Sequence, residues 1–297
     1  MPGEFQFLEW VAAQAKQTDF VRVPPGDDLA VLKWAADDLL LVGVDQVLDG
    51  VHFDATQHSP RQIGRKVMNR NLSDCAAMAC LPAAAVATVA APHGVGVDYL
   101  KQLFLGLREA ANAFGCPVVG GDTGSWAGKL VLTVTILGRS AGVEPVTRDG
   151  AQVDDGVFVS GPLGGSLLGR HLDFVPRIDL ARQLAAAGAV TSMIDLSDGL
   201  SRDAAHLCRR GGVGIVIEGS RVPLHADAQV MSRRDGRTPL EHALHDGEDH
   251  ELLFTGPADL EAAGVTRVGS VVPERGLWLL TQAGLDPLEP LGWEHRL

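Results

Sequence analysis

The chain has 297 residues, and 37 acidic against 25 basic side chains give it a formal net charge of −12. This charge argues against a nucleic-acid-binding protein, which usually carries a basic surface, and against an anionic membrane as partner. Apolar residues make up 46% of the chain. This length and composition predict about two folded domains and exclude wholesale disorder.

The sequence also carries information on compartment. No apolar run approaches the roughly 18 residues that a transmembrane helix needs. Residues 1–10 lack the basic start and apolar stretch of a signal peptide. The four cysteines form no CxxC pair, which is typical of buried, reduced thiols. We therefore expect a cytoplasmic protein with no membrane partner.

Apolar segments alternate with helical patterns along the chain, which indicates a mixed α/β fold. In the first half, the patterns predict strands at residues 38–44, ending at Asp45, and at 83–91 and 130–137, with helices at 62–80 and 98–114. A loop rich in glycine, proline and charge follows at residues 138–156. We expect the domain boundary there, with an N-terminal domain of residues 1–140 and a C-terminal domain of residues 141–297.

The second half begins with a predicted strand at residues 157–160 and a glycine loop at residues 161–169. Helices are predicted near residues 178–187 and 200–210, and strands near residues 214–218, 265–272 and 277–281. No fixed-period repeat is present, so a solenoid or propeller is excluded.

Several apolar segments run into an aspartate beside glycine or a small hydroxyl residue. The five places are residues 26–28, 44–45, 71–74, 120–123 and 194–199. Any one of them is equally typical of a turn or a helix cap. Carboxylate oxygens are also what Mg²⁺ prefers. Five such places in one acidic chain favour several Mg²⁺ ions gathered around a polyphosphate.

Other familiar sites fit the sequence poorly. The glycine loop at residues 161–169 has neither the GK[ST] ending of a P-loop nor GxGxxG spacing. The histidines at 242, 245 and 250 form no HExxH zinc motif. GxSxG is absent, so a nucleophile elbow is not indicated.

Seven motifs, in order, resemble the thiamine-monophosphate kinase family of the aminoimidazole ribonucleotide synthetase superfamily. They are GDDLAVL (26–32), VDQVLDGVHF (44–53), RKVMNRNLSDCAAMACLP (65–82), GGDTGS (120–125), VTRDGAQVDDGVFVSGPLG (146–164), MIDLSDGLSRDAAHLC (193–208) and DGEDHELLFT (246–255). The resemblance runs from about residue 3 to 295, and IDLSDGL together with GEDHELLF is especially characteristic.

The resemblance implies both an activity and an architecture. The family transfers the γ-phosphoryl group of ATP, directly and in line, to thiamine monophosphate, which gives thiamine diphosphate and requires Mg²⁺. Its fold has two α/β domains. The N-terminal sheet pairs across a homodimer, and the C-terminal domain covers the site.

The resemblance also assigns roles to individual residues, motif by motif. The implied Mg²⁺ ligands are Asp28, Asp45, Asp74, Asp122, Asp195 and Asp198. Asp74, Asp122 and Asp198 of this set are the implied catalytic residues. The implied ATP contacts are Gly121, Arg148 and Ser197, and the implied contacts to the thiamine substrate are His52, Glu248 and Trp293.

The chain departs from the family pattern at several positions. Gly43 and Val44 stand where two hydroxyl residues are usual, so a metal contact there is lost or falls to backbone carbonyls. Gly124 replaces a threonine and His250 a tyrosine, and the stretch after Gly165 is shorter than usual.

Two alternatives stay open: another ATP-dependent member of the superfamily, or a non-catalytic nucleotide-binding protein. Selenophosphate synthetase is disfavoured because no reactive cysteine lies near the N-terminus. The hydrogenase-maturation member is disfavoured because the last cysteine is Cys208. All six aspartates are present, which argues against a dead site.

Overall fold

A six-stranded sheet organises the first half of the described chain. The computed structural model describes residues 21–23 and 27–294, so the prediction that residues 1–10 are not a signal peptide lies outside it. The strands are β1 (Val21–Val23), β2 (Ala30–Ala35), β3 (Asp38–Leu48), β4 (Leu81–Pro92), β5 (Val118–Trp126) and β6 (Val131–Arg139). Their order across the sheet is β1-β2-β3-β6-β4-β5. Strand β5 is therefore at one edge.

Two helices, α1 (Pro60–Ala77) and α2 (Val97–Ala113), accompany this sheet. Helix α1 begins sharply because Ser59 and Gln62 form a capping box around Pro60. The helices touch backbone to backbone. A Cβ on Gly64 would lie 2.0 Å from the Leu103 carbonyl oxygen, and one on Gly106 would lie 1.9 Å from that of Arg61. Only glycine fits at such a crossing.

The second half forms a seven-stranded sheet with the order β13-β12-β9-β11-β7-β10-β8. Its strands are β7 (Gly156–Val159), β8 (Ser192–Asp195), β9 (Gly214–Glu218), β10 (Leu252–Gly256), β11 (Thr266–Val272), β12 (Gly276–Thr281) and β13 (Gly284–Pro287). The helices of this half are α3 (Ile178–Ala186), α4 (Leu200–Gly211), α5 (Ala226–Asp235) and α6 (Pro239–His245). The expected mixed α/β fold is confirmed.

The patterns located most of these elements but missed several short ones. The sequence analysis did not predict β1, β2, β5, β8, β10, β13, α5 or α6, of which β5 and α5 are the longest. The prediction that a strand ends at Asp45 is wrong. Strand β3 continues to Leu48 because its ladder with β6 runs on from Asp45 opposite Val134 to Leu48 opposite Val131.

Helix α1 lies between the two halves and positions the site. It packs on α2, β3 and β6, and it also contacts α3 and β8. One apolar core cluster accordingly includes Leu72 of α1 together with Met193 and Phe254 of the second sheet. Polar residues on the same helix are thereby brought against the end of β8.

Two expectations on compartment can be compared with the structure. All four cysteines are buried free thiols, as predicted. Among the described residues, no helix combines the length and the apolar character needed to cross a bilayer.

Candidate active site

Three aspartates from separate segments meet where α1 faces the second sheet. Asp74 comes from α1, Asp195 ends β8, and Asp28 precedes β2; their carboxylate oxygens lie within 4.8 Å of one another. Burial, together with the charges of Asp195 and Asp45, raises the pKa of Asp74 well above its ordinary value. Burial raises the pKa of Asp28 to about 6, although Arg148 opposes this. A shielded set of mutually repelling carboxylate oxygens fits a hard divalent cation such as Mg²⁺.

Arg148, predicted to contact ATP, lies directly against this triad. Its Nη2 is 2.8 Å from Asp28 Oδ1, and its Nε donates to Asp28 Oδ2 at 2.9 Å. Its backbone N–H donates to Asp27 Oδ1 at 2.8 Å. This forked pair holds the guanidinium beside the acidic cluster, where it can meet an incoming phosphate.

Two loops of the C-terminal half are joined by backbone hydrogen bonds and carry the next group of predicted residues. The Glu248 N–H donates to the Ser197 carbonyl at 2.8 Å, and the His250 N–H donates to the Leu196 carbonyl at 2.8 Å. Gly247 has φ +72°, and a Cβ there would lie 2.7 Å from the Ser197 oxygen. This pairing places Ser197 and Asp198 next to Glu248.

Asp203 is a residue of this region that the sequence analysis missed. Its Oδ2 accepts from the backbone N–H groups of Asp198, at 3.2 Å, and of Gly199, at 3.0 Å. The atoms of Asp198, Asp203 and His206 that could bind a metal ion lie within 4.8 Å of one another. Burial and the charge of Asp198 raise the pKa of Asp203 well above its ordinary value. In the sequence, the only sign of Asp203 was its place in the first turn of α4, where an aspartate commonly binds the backbone N–H groups at the helix start.

Glu248, predicted to contact the thiamine substrate, is held by two cations of α1. Lys66 Nζ donates to its Oε2 at 2.6 Å, and Arg70 Nη1 donates to its Oε1 at 2.9 Å. Burial opposes ionisation, but Arg70 and Lys66 hold the pKa of Glu248 well below its ordinary value. Glu248 also has φ +57°, an uncommon conformation for a residue other than glycine, and such positions cluster at functional sites.

Arg70 connects this carboxylate to a predicted metal ligand. Its guanidinium also pairs with Asp45, with Nη2 3.4 Å from Oδ1 and a shorter contact from Nε. Asp45 thus lies next to the triad in the middle of β3. Sequence reasoning missed Lys66 and Arg70. Their only signal was two cations at i and i+4 in a helix, a spacing that Arg61 and Arg65 share.

Lys66 has a second partner in the shortened segment after the glycine loop. Its side chain is fully buried, and Nζ lies 2.6 Å from His171 Nδ1. Burial and the charge of Lys66 lower the pKa of His171 to about 3. The neutral imidazole therefore accepts from the ammonium group. The shortened segment packs against the site through this contact.

The two aromatic residues predicted for the substrate lie side by side. The rings of His52 and Trp293 have centroids 6.2 Å apart with an interplanar angle of 56°. Burial and the charge of Arg70 lower the pKa of His52 to about 4. The backbone N–H of Trp293 donates to the Asp198 carbonyl at 3.0 Å. The segment that carries Trp293 therefore packs on the loop after β8. Trp293 is 43% exposed, which leaves part of its ring accessible.

Gly121 and Asp122 are the predicted site residues that stand apart. Both lie exposed on β5, and Asp122 is in register with Thr88, Thr133 and Gln46 across β4, β6 and β3. Three strand spacings separate β5 from β3, which is about 14 Å. Asp122 lines a cavity of 240 Å³ beside α2. The described chain does not bring Asp122 against the aspartate triad.

The two substituted positions before Asp45 have different surroundings. A Cβ on Gly43 would lie 2.1 Å from Leu29 Cδ2, so glycine lets the segment that carries Asp28 pack on β3. Val44 is 63% exposed. Because strand side chains alternate, Val44 lies on the face opposite to Asp45.

Known proteins resemble this chain over nearly its whole length. Residues 26–140 match the family described as AIR synthase related protein, N-terminal domain, and residues 139–276 match its C-terminal domain. Thiamine-monophosphate kinase of Rhodopirellula baltica is 38% identical, over 98% of this chain and 97% of that protein. The Aquifex aeolicus enzyme of the same name is 32% identical, over 91% and 92%.

A solved structure, "AaThiL complexed with AMPPCP and TMP", superposes with a TM-score of 0.88 at 31% identity. It covers 99% of this chain and 97% of that one. The fold, the buried carboxylates and the near-full-length likeness lead to one conclusion: the chain belongs to the thiamine-monophosphate kinase family of AIR synthase related proteins.

Proposed function

We propose that this protein transfers the γ-phosphoryl group of ATP to thiamine monophosphate, which gives thiamine diphosphate. The carrying observation is the close cluster of Asp28, Asp74 and Asp195, with the cation-held Glu248 close by. Relatives that match nearly the whole chain are named for this activity. A structural neighbour was solved with AMPPCP and TMP.

The donor chemistry supports a Mg²⁺ requirement. We infer that the residues holding the ions are the six aspartates Asp28, Asp45, Asp74, Asp122, Asp195 and Asp198. When bound, Mg²⁺ neutralises phosphate charge and aligns the transferred group. In this proposal Asp74, Asp122 and Asp198 are the catalytic members of the set.

The remaining roles follow from charge and shape. Gly121, Arg148 and Ser197 would contact ATP, with the Arg148 cation supplying charge to a phosphate group. His52, Glu248 and Trp293 would contact thiamine monophosphate. The carboxylate of Glu248 suits a cationic thiazolium, and the exposed part of the Trp293 ring suits an aromatic face.

The acceptor needs little activation. Its attacking oxygen belongs to a phosphate that is already anionic, so a strong general base is not required. The chain therefore works by holding two anionic substrates in line and offsetting their repulsion. We therefore propose a direct in-line transfer, which this arrangement supports.

We further propose that the protein acts as a homodimer through its N-terminal sheet. This proposal is supported by valines exposed on that sheet, Val44 at 63% and Val119 at 63%, and by the distance of Asp122 from the triad. The proposed domains are residues 1–140 and 141–297, each with its own sheet. The reduced cysteines support a cytoplasmic location.

Product formation tests the activity. The protein is incubated with ATP, Mg²⁺ and thiamine monophosphate, with thiamine and a no-acceptor reaction as controls. Thiamine diphosphate formed from the monophosphate alone is the expected result. ATP binding without product would contradict the proposal and favour a superfamily relative or an inactive binder.

A further inference from the structure

His250 lies between two carboxylates that belong to different parts of the site. Its Nδ1 is 3.2 Å from Asp195 Oδ2, and its Nε2 is 3.2 Å from Glu248 Oε2. The residue is 2% exposed, so water does not compete for either contact. Ionised carboxylates only accept hydrogen bonds, so both ring nitrogens act as donors.

The ring is fixed in this position from several sides. It stacks on Phe174 with a centroid distance of 4.1 Å and an interplanar angle of 14°. The Phe174 carbonyl in turn accepts from Asn69 Nδ2 at 2.6 Å. His250 has φ +50°, and its N–H is bonded to the Leu196 carbonyl. The strained backbone and the stacked ring together prevent the imidazole from turning away.

Each carboxylate is oriented by this shared neighbour. Asp195 Oδ2 also accepts from Ser73 Oγ at 2.6 Å, so this oxygen has two partners that hold the carboxylate in one orientation. Glu248 Oε2 is shared with Lys66. A rigid imidazole with two donors therefore fixes the distance between the acidic triad and the substrate-side carboxylate. A tyrosine would offer only one hydroxyl at this place.

We propose that His250 is a positioning residue that orients Asp195 for the metal and Glu248 for the thiamine substrate, a role that rests on the proposed kinase function. Partners of metal ligands commonly change metal affinity tenfold to a hundredfold when they are removed. The two hydrogen-bond donors act on different carboxylates, Asp195 and Glu248. Each can therefore be removed by itself.

Two amide variants separate the donors. In His250→Asn the amide nitrogen sits where Nδ1 does, so the donor to Asp195 is kept and the donor to Glu248 is lost. We expect KM for thiamine monophosphate to rise about tenfold and the affinity for Mg²⁺ to stay within about twofold. In His250→Gln the nitrogen sits where Nε2 does, so the affinity for Mg²⁺ falls about tenfold and KM stays within about threefold.

The affinity for Mg²⁺ is measured by calorimetry with the metal alone, which needs no turnover. His250→Phe keeps the stacked ring but neither hydrogen-bond donor. We therefore expect KM for thiamine monophosphate to rise and the affinity for Mg²⁺ to fall. His225→Asn is the matched control, because His225 is a helix N-cap that asparagine also serves. It should leave both constants unchanged.

Equal effects of the Asn and Gln variants on both constants, or no effect of the Phe variant, would overturn the role of His250. A wild-type protein that makes no thiamine diphosphate would instead contradict the proposed function. In that case calorimetry with Mg²⁺ alone still tests whether His250 orients Asp195. A tenfold weaker affinity for Mg²⁺ in the Gln variant alone supports the role, whereas equal affinities, or no Mg²⁺ uptake by the wild type, contradict it.

Discussion

The region around Asp74 and Glu248 and the edge strand β5 are built in opposite ways. In the first region, carboxylates from α1, β8 and two loops lie partly or fully buried close together, and Glu248 is already paired with Lys66 and Arg70 of α1. In the second, Asp122 is exposed on a strand with no neighbour on its outer side among the described residues. One chain thus preassembles the charged centre around α1, whereas it leaves the β5 residues exposed at the edge of the sheet.

The largest effect is expected from Asp74→Asn. Its carboxylate is the member of the triad most disfavoured by burial and by neighbouring charge. We expect kcat to fall at least about a hundredfold, because charge neutralisation at the transferred group is lost. The thermal unfolding temperature without Mg²⁺ should not fall, since a repelled charge is removed. Asp98→Asn, at an exposed carboxylate, is the control. An unchanged kcat in Asp74→Asn would remove Asp74 from the site.

A second variant tests the preassembly of the centre directly. Asp122→Asn should lower turnover about tenfold or more, yet keep the rise in unfolding temperature that Mg²⁺ alone produces in the wild type. Asp74→Asn should lose that rise, because the proposed ion would be held mainly by the triad. If Asp122→Asn also loses the rise, the two regions act as one site in the resting protein, and the comparison fails.

A third variant acts on the substrate side of the buried region. Trp293→Ala removes the ring beside His52 while the backbone bond to Asp198 stays. We expect KM for thiamine monophosphate to rise roughly tenfold and KM for ATP to change less than about twofold. Trp34→Ala on β2, at a residue 67% exposed, serves as the matched control. Equal changes in both KM values would show that Trp293 has no role specific to the thiamine substrate.

The smallest effect is expected at Val44, one residue before Asp45. Val44→Thr restores a hydroxyl on the exposed face of β3, away from the side chain of Asp45. The half-saturating Mg²⁺ concentration should therefore change less than about twofold, as at an ordinary surface position. Kinetic titration with Mg²⁺ measures this. A large gain in apparent affinity would mean that the exposed face takes part in metal binding.

The sequence was most informative where local pattern and chemistry coincide. The apolar periodicity of residues 98–114 predicted α2 within one residue, at Val97–Ala113. The pattern at 62–80 located the helix that carries Asp74. Short elements such as β8 and α6 escaped prediction. A strand of four residues or a helix of seven contains too little periodicity to be told from a loop.

The sequence by itself determined the family and the two-half α/β organisation and pointed to the candidate acidic ligands, because motif order and residue chemistry are properties of the chain alone. Only the tertiary structure decided which charges meet. Lys66 and Glu248 are 182 positions apart, and Asp195 and His250 are 55 apart. Such pairs form because α1 is buried between two sheets, where a charge must find a partner. No local pattern encodes which partner that will be.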